Sequence, residues 1–157
     1  MIKFRLAELQ DLDTLFNWAN DNSVRENSYN PQVIEYGQHI NWFNEKINSD
    51  RCVIYIFTND QNTPIGYVRI EKEVEEREAL IGIAIDTGKR GKGFGTEMLQ
   101  IASSDFLQKN PGYYILAFIM KKNAPSYKTF IKAGYKILRE ETYKNIPSLI
   151  LHKGNDV

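Results

Sequence analysis

The sequence predicts a mixed α/β (α+β) domain: one mixed, mostly antiparallel sheet flanked by about four helices. Three observations carry this. Strand-length apolar runs and helix-spaced apolar segments follow one another in the order β-α-α-β-β-β-α-β-α-β-β. The 157 residues, 42% hydrophobic and 25% charged, suit one globular domain spanning 1–157. Finally, four of the ten glycines fall within residues 88–95, between a strand-like run and a helix-like run.

Residues 2–7 alternate as a first strand, and Asp11 is placed to cap a helix carrying Leu12, Leu15, Phe16 and Ala19 on one face. The polar stretch 21–31 reads as loop or broken helix. A second helix over about 35–48 has Ile40, Phe43 and Ile47 at helical spacing. Strands at 53–58 and 65–70 flank a turn-forming segment, 59–64, and the charged 71–78 reads as a turn before a strand at 79–85. After the glycines, Met98, Leu99, Ala102 and Phe106 mark a helix that Pro111-Gly112 ends. The nearly unbroken apolar run 113–120 predicts a strand buried on both faces. Asn123 can cap a short helix to Ala133, Gly134 can end it, and a strand pair fits 135–143 and 148–153.

Composition excludes several classes. Net charge is zero, so the basic excess of a nucleic-acid binder is missing, and no apolar run approaches the ~20 residues of a membrane span. Charge is nevertheless uneven: residues 1–50 carry a net of −4 and residues 111–157 a net of +5, which favours a small anionic ligand at the C-terminal side. The single cysteine, Cys52, heads an apolar run and reads as a core residue. No metal is expected. With no signal-like apolar block at the N-terminus, the expected location is the cytoplasm.

Strand, glycine- and lysine-rich turn, then helix start is a way to seat a phosphate. Glycines admit positive φ, the first helical N–H groups are unpaired, and Lys89, Arg90 and Lys92 add charge. A P-loop would need Gly-Lys-Ser/Thr where Gly93-Phe94 stands, and the glycine spacing also misses the G-x-G-x-x-G fingerprint. What matches is Arg90-x-x-Gly93-x-Gly95.

On that motif the chain resembles the GCN5-related N-acetyltransferase (GNAT) family. Downstream, Asn123-Ala-Pro-Ser126, Phe130 and Ala133-Gly134-Tyr135 match the family's later block, and the element order agrees over essentially the whole chain. The resemblance implies acetyl-CoA as co-substrate in a cleft between the fourth and fifth strands. The cofactor residues it implies are Ile83, Ala84 and Ile85, the loop Arg90, Gly91, Lys92, Gly93, Phe94, Gly95 and Thr96, and then Asn123, Ser126 and Phe130. It also implies acetyl transfer to a primary amine, with a backbone N–H of 83–85 polarising the thioester carbonyl. Glu78 and His39 are candidates for the proton path, though each also fits a structural role. Phe130 stands where many members carry an acidic tyrosine, and Tyr127, one turn earlier, is the candidate substitute.

In the first third, Asn17-Trp-Ala-Asn20, Val24-Arg25, Asn27-Ser-Tyr-Asn30 and His39-x-x-Trp42-Phe43 are similar to nucleotide-linked aminosugar N-acetyltransferases of the pseudaminic acid pathway. That subgroup implies a sugar-nucleotide acceptor held by Trp18, Asn20, Arg25, Asn27, Tyr29, Asn30, His39 and Trp42. A homodimer is compatible with it. Two other readings stay open: a RimJ/RimL-like protein N-terminal acetyltransferase, and a catalytically silent CoA-binding module.

Overall fold

In the computed structural model, which describes residues 1–155, seven strands form one sheet: β1 (Lys3–Leu6), β2 (Cys52–Thr58), β3 (Pro64–Glu73), β4 (Glu78–Ile85), β5 (Tyr114–Met120), β6 (Lys136–Tyr143) and β7 (Ile146–Lys153). The last two positions of the expected 1–157 domain lie outside the described residues. Across the sheet the order is β1-β2-β3-β4-β5-β7-β6. Every neighbouring pair is antiparallel except β4 and β5, which are parallel because a helix connects them.

Five helices cover the sheet: α1 (Leu12–Ala19), α2 (Asn22–Glu26), α3 (Tyr36–Ile47), α4 (Phe94–Lys109) and α5 (Ala124–Lys132). The alternation of β2 shows how the layers form. Cys52, Ile54 and Ile56 pack on one face with Leu15 of α1 and Phe43 of α3. Val53, Tyr55 and Phe57 pack on the other with Met98, Ala102 and Phe106 of α4. A strand covered on both faces needs apolar residues at both parities, which is why β2 reads as an unbroken run. Burial pushes the Cys52 thiol up to about 11, as a core cysteine requires.

The register of β4 and β5 positions the site. They pair only at Glu78↔Tyr114, Ala79↔Ile115 and Leu80↔Leu116. Beyond that point β4 stays with β3 as far as Ile85, and β5 stays with β7 as far as Met120. The two strands therefore diverge, and a wedge opens between them at the carboxyl end of β4.

Two expectations need correction. Asp11 sits at the start of α1 but makes no side-chain cap there. Its carboxylate takes both terminal nitrogens of Arg5 at 2.8 Å and the Glu8 N–H at 2.8 Å. Burial works against its ionisation, yet Arg5 and Glu8 hold its pKa below the usual value. The charged segment 71–78 is not all turn: β3 runs to Glu73 and β4 begins at Glu78, so charge there marks strand ends. The stretch 21–31, read as loop or broken helix, does hold a short helix, α2, capped by Asp21 through the N–H groups of Ser23 and Val24.

Gly66 faces Ile85 across the β3–β4 ladder, beside the open end of the wedge. A β-carbon there would fall 2.5 Å from the Ala84 carbonyl oxygen and 2.9 Å from Met98 Cε. Gly66→Ala is expected to cost about 1–3 kcal/mol, lowering the urea midpoint at unchanged slope. An unchanged midpoint would show that the two strands can part there without loss.

Candidate active site

The wedge is the mouth of a cavity of about 790 Å³. Its walls are the free edge of β4 over Ile81–Ile85, the end of β5 over Ala117–Met120, the glycine turn, the first turns of α5, and the segment around α2.

The glycine turn is built for close approach of a ligand. Asp86 opens it, accepting the Gly88 N–H at 3.0 Å and the Trp18 Nε1–H at 3.0 Å. Gly91 and Gly93 take φ of +75° and +82°, a region other residues enter at a cost. A β-carbon on either would meet nothing within 4 Å, so these glycines serve the backbone conformation and leave open space in front of it. Gly93 is the N-cap of α4 and no side chain caps that helix, leaving first-turn N–H groups available with the positive end of a 16-residue helix behind them. Gly95 is packed instead: its β-carbon would lie 3.1 Å from Ile85 Cδ1 and 3.1 Å from Thr129 Cγ2.

The turn is clamped to α2. Arg90 Nε donates to the Ile85 carbonyl at 3.1 Å, Nη1 to Ser23 Oγ at 2.9 Å, and Nη2 to Asp21 Oδ2 at 3.0 Å. Thr87 donates to the other Asp21 oxygen at 2.9 Å. The Ser23 hydroxyl, aided by Thr87 and Arg90 and opposed by desolvation, holds the Asp21 carboxyl well below the usual range.

Of the expected cofactor residues, Ile83, Ala84, Ile85, Arg90, Gly91 and Gly93 line the cavity, as do Phe94, Gly95, Thr96, Asn123, Ser126 and Phe130. Lys92 is exposed and not on the wall, whereas Lys89 is. Three of the lining residues also have partners within the protein. The side chain of Arg90 is engaged by Asp21, Ser23 and Ile85, so it shapes the turn. Asn123 Oδ1 accepts the Ser126 N–H at 3.4 Å and caps α5. Phe130, 3% exposed, packs edge-on against Tyr135 at 5.0 Å and closes the cavity floor.

The expected acceptor residues divide. Arg25, Asn27 and Tyr29 are on the wall. Tyr29 shares a hydrogen bond with Ser148 Oγ at 2.6 Å, and Arg25 donates to the carbonyls of Ala19 at 2.7 Å and Asn30 at 2.9 Å. The other five are scaffold. Trp18 is 7% exposed, bonded to Asp86 and stacked on Tyr67. Both amide atoms of Asn20 bond the Ile34 backbone, at 2.7 and 2.8 Å. Asn30 contributes its carbonyl to Arg25 and is otherwise exposed. Trp42 lies under Arg69 and against His39.

None of the three proton-transfer candidates reaches the wall. His39 is 2% exposed, and its Nε2–H donates to the Leu12 carbonyl at 2.9 Å between Phe16, Trp42 and Phe43. Glu78 sits at the closed, paired end of β4, opposite Tyr114. Tyr127 packs toward the α4 side of the core. Among the described residues, no carboxylate or imidazole lines the cavity. The sequence reading also missed Tyr67 and Arg69 on β3, and Lys128 and Lys132 on α5, all on the wall. A signal for the first two was present: both interrupt, at strand parity, a strand otherwise buried at Val68 and Ile70. Burial raises the Tyr67 pKa, with Arg69 and Arg25 pulling it back.

Comparison with known proteins agrees with this geometry. Residues 2–136 match the family model of the acetyltransferase (GNAT) domain. A curated Bacillus subtilis (strain 168) protein, YwnH, named only provisionally as a phosphinothricin acetyltransferase, is 26% identical over 83% of this chain and 82% of its own. Spermidine N-acetyltransferase from Vibrio cholerae, solved with CoA and spermine, superposes with a TM-score of 0.86 at 16% identity, covering 97% of this chain and 94% of that one. Aminoglycoside acetyltransferase AAC(6')-Ib, solved with coenzyme A, gives 0.81 at 19% identity over 98% and 95%. No helix among the described residues is long and apolar enough to cross a membrane.

A carboxyl whose folded pKa lies below its unfolded one stabilises the fold above the unfolded value, and that contribution fades as pH falls beneath it. Asp21 is such a group. The gap in urea midpoint between the native chain and Asp21→Asn should therefore be full at pH 7 and narrow progressively below about pH 4. A gap constant down to pH 2 would contradict the Asp21 clamp.

Proposed function

The chain belongs to the GNAT acetyltransferase family, and we propose that it moves the acetyl group of acetyl-CoA to the primary amine of a nucleotide-linked aminosugar. The wedge between β4 and β5, with an uncapped helix start at its mouth, is the observation that carries this reading. The residues present fit the cofactor. The N–H groups of Gly91–Thr96 and the α4 dipole would hold its diphosphate, with Lys89 supplying formal charge at the same wall. Acetyl-CoA brings an activated thioester to the cleft, and the protein supplies position and polarity.

Positioning an amine against a reactive carbonyl can itself remove roughly 7–11 kcal/mol of barrier. The edge of β4 from Ile81 onward has no strand partner on its β5 side, so an N–H there is free to donate to the carbonyl oxygen of the thioester. With no carboxylate or imidazole on the wall among the described residues, the ammonium sheds its proton to water before attack. Arg25, Asn27 and Tyr29, all on the wall beside α2, support a polar, hydroxyl-rich acceptor. An acidic first third would suit a cationic peptide terminus, but it puts no carboxylate on the wall among the described residues.

Incubation with labelled acetyl-CoA and a panel of UDP-amino sugars and peptides tests the reading. Label should pass to a UDP-amino sugar, and kcat/KM should climb tenfold per pH unit up to the acceptor's own amine pKa. Label on peptides alone, or a plateau set by an enzymic base near pH 6, would contradict it. Gly93→Asp, which places a carboxylate and a strained φ at the turn, should weaken acetyl-CoA by roughly a hundredfold or more, about 2.7 kcal/mol, with circular dichroism unchanged. Calorimetry showing native affinity would remove the turn from the cofactor site.

A further inference from the structure

The cavity has a one-sided charge pattern. Six cationic residues line it, Arg25, Arg69, Lys89, Arg90, Lys128 and Lys132, and no acidic residue does so among those described. Four of them belong to the glycine turn and α5, where a coenzyme's phosphates would sit. Arg25 and Arg69 are elsewhere, at the β3 side of the cavity beside Tyr67, and the transfer reaction gives no reason for them to be there.

Their surroundings leave them net positive. Arg25 is held by backbone carbonyls, and among the described residues no carboxylate pairs with it. Arg69 Nη1 donates to Glu71 Oε1 at 3.0 Å, but the other Glu71 oxygen takes Lys46 Nζ at 2.6 Å, so Arg69 shares its carboxylate with a second cation, which the exposed Glu45 carboxylate reaches only at 3.9 Å. The guanidinium of Arg69 is also propped on the Trp42 ring at 5.6 Å. Its Nη2 lies 3.6 Å from where a β-carbon on Gly82 would stand, over the one cavity-edge residue of β4 that has no side chain. The guanidinium is thus fixed in place before any ligand arrives. Tyr67 lines the same cavity as both arginines; no protein group among the described hydrogen bonds engages its hydroxyl, and its ionisation feels both cations.

Building on the acetyl-transfer reading of this cavity, we propose that Arg69, Arg25 and Tyr67 form an oxyanion subsite at its acceptor end, so that the substrate is a primary amine that also carries a phosphate, phosphinate or carboxylate. Arg69, engaged only through Nη1, offers such groups paired N–H donors in a fixed plane, Arg25 adds its unengaged Nη2, and the tyrosine O–H adds a further direction. The same wall repels a polycation: a polyamine or aminoglycoside entering here meets cations with no carboxylate to receive its ammonium groups. The structural relatives solved with spermine or aminoglycosides therefore share the fold with this chain but not its acceptor class. Trp42 and Lys46, scaffold by position, gain a purpose here, since they hold Arg69 and occupy Glu71.

The test uses the full chain saturated with CoA, which blocks the phosphate seat, and titrates UDP, phosphinothricin, inorganic phosphate and spermidine by calorimetry. At least one of the three anions should bind, more weakly as salt is raised. Arg69→Gln should weaken that binding at least tenfold, Arg69→Lys should recover part of it, and CoA affinity should match the native chain in both. Spermidine binding as tightly as the best anion, no anion binding, or anion binding indifferent to Arg69→Gln would each overturn the subsite. Its failure is separable from that of the nucleotide-sugar reading. Arg69-dependent binding of phosphinothricin without UDP keeps the subsite and removes the nucleotide, whereas Arg69-independent binding of UDP removes the subsite alone.

Discussion

One departure from regular pairing governs the molecule: β4 and β5 share three residue pairs and then part. A parallel pair that continued to Ile85 would satisfy its backbone groups internally and leave a closed sheet with no site. Both strands keep their outer partners, so the break costs only the inner ladder, and the polar edges it exposes are available to a ligand. The glycine turn lies where β4 ends, so its N–H groups and the start of α4 are delivered to the mouth of that opening. Position, donors and dipole all follow from where the pairing stops.

A second constraint joins the two halves of the site. Asp21, at the start of α2, holds Arg90 and Thr87 of the turn, and Asp86 of the turn holds Trp18 of α1. The glycine turn and the α1–α2 segment, the sides proposed for coenzyme and acceptor, are thereby cross-linked through short polar contacts. Disturbing the 20s segment should be felt at the turn, and the reverse. Arg25 strengthens the coupling by tying α2 to the carbonyls of Asn30 and Gln32.

Much of this was legible in the residues. Element order followed from periodicity because β2 and β5 are buried on both faces and the helices carry clean stripes. The turn was legible because its chemistry is local: four glycines and three cations in eight residues mean nearly the same thing in any context. The acceptor half was much less so. Trp18, His39 and Trp42 recur at helical spacing, and an aromatic with a polar edge looks alike whether it faces a sugar or a backbone carbonyl; here Asp86, Leu12 and Arg69 take those edges. Asn20 resembles a ligand until Ile34, fourteen residues on, satisfies both ends of its amide. Glu78 kept two readings for a related reason, because strand polarity decides which end of β4 opens, and that depends on β5. Tyr67 and Arg69 interrupt an apolar strand at strand parity, a signal of exposure, but the sheet's neighbours are needed to reveal that what their side chains border is a cavity.

Amide hydrogen exchange, with and without acetyl-CoA, reaches the heart of this interpretation without choosing an acceptor. The diverging edge and the uncapped helix start predict slowed exchange concentrated at Gly91–Thr96 and along Ile81–Ile85, with little change in β1, β2 or β6. Binding that left both segments exchanging at their free rates would mean that the coenzyme sits elsewhere, and the wedge would lose its claim to be the active site.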